Sequence, residues 1–201
     1  AATIGEENPL EQFMTKCREI LVGFGSLEIK NYHLSTLEDL NTKMQKTEKL
    51  LMLKNALGDY NHLRNSLLPS ALKVLTENQH HEYPQKIFEI GRTFTKNPKT
   101  DTGIQETEHL SLTIAHETAD YTEIRQLLDS FLSTLNIPVQ IKETTHPSFI
   151  PGRVASIILN NQPIGIIGEF HPQVLTNWNL FMPTIAFEID VEKLFEYVKK
   201  R

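Results

Sequence analysis

Apolar residues along this chain follow two rhythms, one repeating every three to four positions and one every second position. The switches between them divide the chain into elements. Leu10, Phe13, Met14, Cys17, Ile20 and Leu21 share one face at helical spacing. Asn8 can cap the free N–H groups ahead of them and Pro9 suits a first helical position, so a helix is predicted from there until Gly23 and Gly25 end it. Residues 27–33 read as a strand with Leu27, Ile29 and Asn31 on one side, and Ser35 with Glu38 has the spacing of a capping box that opens a short helix through Met44. Residues 50–53 are apolar and short, as a buried strand would be, before Gly58 and Asp59 break the pattern. A further helix starts near Ser66, with Pro69 in its first turn and Leu68, Leu72 and Leu75 on one face.

Residues 86–94 form the clearest strand; the polar run 96–108 reads as a loop and 110–116 as the return strand of a long-looped antiparallel hairpin. Asp120 and Glu123 pair as a capping box before Tyr121, Ile124, Leu127, Leu128, Phe131, Leu132 and Leu135, the strongest amphipathic helix, which Asn136 and Pro138 stop. Residues 139–143, 154–159 and 164–170 read as strands, the last two joined by Asn160 and Asn161, which tolerate tight-turn geometry. Residues 184–189 are a final strand, and Asp190 can cap a closing helix to Lys199. The irregular alternation of strands and helices gives an α+β class, a largely antiparallel sheet with helices packed on it. No repeat or linker interrupts it, so the expected organisation is a tail over residues 1–7 and one core domain over 8–201.

Composition leaves this picture intact. At 201 residues, 39% hydrophobic and 22% charged, the chain has the makeup of a globular domain that buries about 70% of its unfolded surface. No apolar run approaches the ~20 residues that cross a bilayer, and the first residues have neither a basic nor an apolar signal region, so a cytoplasmic protein is expected. The net charge of -5, from 20 basic and 25 acidic residues, provides no broad attraction for a phosphate backbone. Cys17 is the only cysteine, which excludes an intrachain disulfide and a cysteine-cluster zinc site. Its place on a helical apolar stripe marks it as packing.

Four features invite chemistry. His80 and His81 lie near Glu77 and Glu82, but adjacent side chains diverge on a helix or a strand, so a surface helix end is favoured over a metal site. His171 sits where a strand ends and a helix begins; general acid or base work is conceivable, and capping or turn packing is favoured. The run Pro151-Gly152-Arg153-Val154-Ala155 could hold an anion, or simply lead a loop into a buried strand. Glu89 falls inside the apolar strand Ile87-Phe88-Glu89-Ile90, where an unpaired charge is costly, so a structural ion pair with Arg64 is expected.

Leu63-Arg64-Asn65-Ser66-Leu67-Leu68-Pro69 followed by Lys86-Ile87-Phe88-Glu89-Ile90-Gly91-Arg92-Thr93-Phe94 resembles the motif-two region of class II aminoacyl-tRNA synthetases, in the version found in the phenylalanyl-tRNA synthetase beta chain. The later runs 151–155, 164–172 and 187–190 resemble the same family in the same order, so the likeness covers roughly residues 8–200. It implies a class II synthetase-like antiparallel sheet flanked by helices, of the kind called catalytic-like. The family's working relatives carry an arginine directly after the motif-two phenylalanine to neutralise the ATP α-phosphate. Thr95 stands there in this chain, and no glycine follows Gly168 where motif three would leave room for a nucleotide.

The resemblance therefore implies a module with no catalytic, cofactor-binding or metal-binding residues of its own. ATP and magnesium would be bound by an alpha subunit within a heterotetramer of two alpha and two beta chains, with tRNA held by the whole assembly. The end at Arg201 is like the archaeal or eukaryotic type, and the family's editing and magnesium-binding domains have no counterpart in these residues. Leu10, Phe13, Met14, Cys17 and Leu21 are candidates for contact with alpha, because the equivalent helix and strand form the subunit interface in class II proteins; the alternative is that they face this domain's own core. An isolated fragment with an open interface would be prone to homodimerise. The competing functions are a free-standing adenylate-forming ligase and a local tRNA-contacting module.

Overall fold

The computed structural model describes residues 4–56 and 58–200. Residues 1–3 of the expected tail and Arg201 of the expected core lie outside the described residues; residues 4–7 are exposed. Helix α1 (Pro9–Gly23) begins as its residues dictate, with Asn8 accepting from the Leu10 N–H at 2.9 Å and Gly25 leaving at φ +76. After β1 (Leu27–Glu28) and β2 (Leu34–Ser35) comes a single π-helical turn, Glu38–Thr42, then β3 (Leu51–Met52) and β4 (His62–Leu63). Helix α2 (Leu68–Glu77), β5 (Gln85–Lys96) and β6 (Ile104–Ala115) follow, then α3 (Tyr121–Thr134), which Asp120 caps through the Glu123 N–H at 2.8 Å. The chain closes with β7 (Gln140–Glu143), β8 (Phe149–Leu159), β9 (Gln162–Phe170), α4 (Pro172–Asn177), β10 (Thr184–Asp190) and α5 (Val191–Lys199).

Seven strands make one sheet in the order β1-β5-β6-β10-β9-β8-β7, antiparallel except where β1 runs parallel to β5. A small second sheet has the order β2-β4-β3. Helices α1, α3 and α5 cover one face of the large sheet over Phe88, Leu112, Ile114, Ile167 and Phe187, while α2, α4 and Trp178 cover the other over Ile87, Ala115, Phe170 and Ala186. With both faces covered, the strands carry apolar residues on both sides, which is why β10 has all seven residues buried. Asn160 and Asn161, at φ 49 and 61, form the two-residue turn between β8 and β9 that their side chains permit.

Several local expectations need correction. Only Leu27 and Glu28 of residues 27–33 form a strand, and Leu27 is 68% exposed because β1 is an edge. Thr36, not Ser35, caps the next turn, through the Asp39 N–H, and the expected helix to Met44 is one π-helical turn. The strand at 51–52 lies at the edge of the small sheet with Met52 60% exposed, not in the core. Six of the thirteen residues of the polar run 96–108 are strand: β5 and β6 stay paired out to Lys96 and Ile104, so the hairpin loop narrows to residues 97–103. Arg92 bridges this projecting ladder to Glu106 at 2.8 Å and Glu108 at 3.0 Å, cross-strand pairs whose polarity imitates a loop.

The apolar stripe of α1 also finds its place. Phe13, Met14, Cys17 and Leu21 are buried against this chain's own core, with Phe13 beside the Phe195 ring of α5 at 5.7 Å, and Leu10 is partly buried against the same cluster. Phe13, Met14, Cys17 and Leu21 therefore face this chain's own core, with Leu10 at its margin. Burial pushes the Cys17 thiol up to about 12, so it stays protonated and inert.

Candidate functional site

The face of the large sheet under α2 is polar at its centre. Strand register aligns Glu89 of β5, Ser111 of β6, Glu188 of β10 and Ile166 of β9 in one row; Gly91, His109 and Asp190 lie in the next. Side chains in such rows point the same way, so two carboxylates, Glu89 and Glu188, lie beneath the segment that leads into α2. Both are buried, and a buried carboxylate demands hydrogen-bond donors or a countercharge.

Glu89 is answered from two directions. Its Oε1 accepts from Arg64 Nη1 at 2.7 Å and from the Asn31 N–H at 3.3 Å, while Oε2 accepts from Asn31 Nδ2 at 2.8 Å. Arg64, itself 1% exposed, also donates from Nε to the Arg92 carbonyl at 2.9 Å. The guanidinium lies over Gly91, where a Cβ would collide with Arg64 Nη2. The structure thus brings together the two residues expected to pair, and adds Asn31.

Glu188 is a second hub. Its Oε2 accepts from the Ser66 hydroxyl at 2.6 Å and the Leu67 N–H at 3.1 Å, and its Oε1 lies 2.6 Å from His109 Nδ1. Burial opposes ionisation of Glu188, yet His109, Ser66 and Leu67 outweigh it and hold the carboxyl below its ordinary value. Burial likewise opposes protonation of His109, but the hydrogen bond and charge of Glu188 and the charge of Asp190 raise the imidazole above its ordinary value. The order of the three groups matters: a serine nucleophile needs an imidazole nitrogen at its hydroxyl, and here the carboxylate stands between serine and histidine. The arrangement anchors the start of α2; it does not activate Ser66.

Beside this hub lies a cleft of ≈ 160 Å³, lined by Met44, Lys46, Leu68, His109, His146 and Glu188 among others. Burial, aided by the charge of Lys46, pushes His146 down to about 4, so it is neutral near pH 7. The larger cleft, ≈ 800 Å³, lies elsewhere, between residues 30–35 and α2.

The remaining sequence candidates stay apart from this row. His171 caps α4 by accepting from the Gln173 N–H at 3.1 Å. Arg153 donates to Glu169 at 2.7 Å, and Gly152 turns at φ +76 inside β8. The rings of His80 and His81 lie 4.2 Å apart, and among the described residues no group of three or more His, Cys, Asp or Glu side chains could hold a metal ion. Thr95 is exposed near the tip of the β5–β6 hairpin. Sequence reasoning missed Glu188, His109 and Ser66, although Glu188 carries the signal that exposed Glu89: a carboxylate within an apolar strand.

A family model described as the phenylalanyl tRNA synthetase beta chain CLM domain matches residues 1–191. The chain belongs to this family. It is similar to phenylalanine–tRNA ligase beta subunits of Thermococcus onnurineus, with 36% identity over 96% of this chain and 36% of that one, and of Pyrococcus furiosus, with 38% identity over 96% and 35%. The subunit of Methanococcus aeolicus is 34% identical over 95% of this chain and 36% of its own length. This family member thus spans about a third of the length of the curated relatives it matches. Among its described residues no helix is long and apolar enough to cross a membrane.

Proposed function

We propose that this domain is a non-catalytic assembly module of a phenylalanine–tRNA ligase beta subunit. It packs against an alpha subunit that joins phenylalanine to tRNA at the expense of ATP. The observation that carries this reading is the self-filling of the polar sheet face. Arg64 occupies the space above Gly91, Glu188 is taken up by Ser66, Leu67 and His109, and Asp190 caps α5 through the Lys193 N–H at 3.0 Å. ATP with its magnesium does not fit the residues on this face: the cleft of ≈ 160 Å³ is below the ~300–1,000 Å³ of small-molecule sites. On this face Arg64 is committed to Glu89 and Lys46 to Glu48, and Thr95 supplies no charge for an α-phosphate.

We read the helix-covered sheet as a class II synthetase-like core retained as scaffold. In this reading the working enzyme is a cytoplasmic heterotetramer of two alpha and two beta chains that holds tRNA collectively, and the domain binds no cofactor; without alpha, the fragment homodimerises through its uncovered surface. The test is ATP–pyrophosphate exchange on the purified chain. Phenylalanine-dependent exchange stays at the blank without alpha and appears when alpha and the complete beta subunit are present. Exchange by the chain alone would overturn the proposal in favour of a free-standing adenylate-forming ligase.

A further inference from the structure

The cleft of ≈ 160 Å³ beside Glu188 is lined by side-chain donors that have protons to spare. Nδ1 of His146 accepts from the Ser148 N–H at 3.2 Å, so the proton of the neutral ring is on Nε2, which has no partner among the described residues. Nδ1 of His109 lies 2.6 Å from Glu188 Oε1, which can only accept, so Nδ1 keeps its proton and the imidazolium carries the second on Nε2. That nitrogen also has no partner among the described residues. Lys46, 2.8 Å from Glu48, can give that carboxylate one N–H and has two more.

The side-chain acceptors of the same lining are engaged. Glu188 Oε1 meets His109, its Oε2 takes Ser66 and Leu67, and Ser66 Oγ itself accepts from the Leu68 N–H at 3.2 Å. Met44, Leu68, Pro69 and Ile166 add an apolar wall. The charges around the cleft cancel: Glu48 offsets Lys46, Glu188 offsets the His109 imidazolium, and Lys193 lies 3.5 Å from Asp190, the other acid whose charge reaches His109. Glu89, beyond Ser111 in the same row, is met by Arg64 at 2.7 Å. A polyphosphate finds no surplus of positive charge here, whereas a single negative charge finds three sources of N–H donors. Since a water takes up about 30 Å³ in the liquid, the space equals roughly five waters, or a ligand of about six non-hydrogen atoms.

We propose that this cleft binds a small aliphatic carboxylate that has no amino group, its oxygens on His109, His146 and Lys46 and its carbon chain against Met44, Leu68 and Ile166. An α-ammonium would be desolvated without a vacant side-chain acceptor, which excludes an amino acid. His109 sets the pH range. When its ring is neutral, Nδ1 keeps the proton for Glu188 and Nε2 changes from donor to acceptor, turning a lone pair to the carboxylate. Burial opposes the charge of His109, but Glu188 and Asp190 hold it above its ordinary 6.5, so the donor is present at pH 6 and lost as pH rises through the raised value. This site and the assembly reading stand independently of each other.

Calorimetric titration of the chain with sodium butanoate at pH 6 and constant ionic strength tests it, together with the nitrogen NMR resonances of the imidazoles. Butanoate saturates a single site and shifts Nε2 of both His109 and His146, while chloride, butylammonium and phenylalanine bind at least tenfold more weakly. Raising the pH from 6 to 9 weakens butanoate at least tenfold. His146→Phe, which keeps a ring and removes the donor, weakens it as much at pH 6. Absence of saturation, or saturation that leaves both imidazoles unmoved, overturns the site, and the resonances decide this in the parent chain even where His146→Phe fails to fold. Equal binding of phenylalanine overturns the exclusion of amino acids, and equal binding of chloride overturns the carboxylate in favour of a halide. An affinity unchanged between pH 6 and 9 overturns the part given to His109.

Discussion

Arg64 and Glu89 stand at the centre of the residue-scale argument, because each is buried and neither could be so alone. Removing one partner of a buried pair leaves an uncompensated charge and costs about 3–5 kcal/mol, while replacing both by apolar groups of similar size is often near neutral. Arg64→Met should therefore lower unfolding stability by about that amount, and Arg64→Met with Glu89→Leu should recover most of it. The loss is kept below full recovery by Asn31, whose side chain and N–H both donate to Glu89. Urea denaturation of the two variants decides the point; equal losses in single and double variants would show that Arg64 acts through something other than its charge. Gly91 belongs to the same construction, since any side chain there displaces the guanidinium.

At the scale of elements, α2 is held to the sheet by Glu188 through Ser66 and Leu67, and this anchor has a pH window. His109 titrates above its ordinary 6.5 in the fold, so its contribution is complete below pH 6.5 and is lost as pH rises through the raised value. Glu188 titrates below its ordinary 4.5, so its contribution is complete above pH 4.5 and is lost as pH falls through the lowered value. The anchor is strongest between these limits. His146 acts in the opposite sense to His109: depressed from 6.5 to about 4, it favours unfolding as pH falls across that range. Thermal midpoints from pH 4 to 9 should show His109→Gln with a flatter alkaline decline than the parent chain. Glu188→Gln should weaken the decline on both sides. Parallel profiles for all three proteins would refute the anchor.

For the molecule as a whole, charge bears on the rival reading of a tRNA-contacting module. A chain of net charge -5, with Arg92, Arg125 and Arg153 each paired to carboxylates, has no field to collect counterions from a phosphate backbone. Titrating the isolated chain with tRNA at low salt should give no saturable binding. Saturable binding whose logarithm falls steeply with the logarithm of salt concentration would establish local phosphate contacts and revive that reading. Seven of the ten large apolar side chains exposed among the described residues belong to residues 22–60, which directs attention to protein partners.

Elements whose signals are local were legible without the fold: the Asn8 and Asp120 caps, the α3 stripe, the Asn160-Asn161 turn and the β10–α5 junction all depend on neighbours in sequence. The need of Glu89 for a cation was legible too, since burial in an apolar strand requires one whatever the topology. Tertiary structure decided what periodicity leaves open. A helical stripe shows that Phe13, Met14, Cys17 and Leu21 are buried, but only the packing of α1 on α3, α5 and β5 shows that their partner is this same chain. A polar run such as 104–109 cannot declare itself a strand until Arg92 is seen across the ladder from Glu106 and Glu108. The meeting of Ser66, His109 and Glu188 arises from contacts between distant segments. Chain order specifies the donors and acceptors; only the register of β5, β6 and β10 determines which are used up and which remain open.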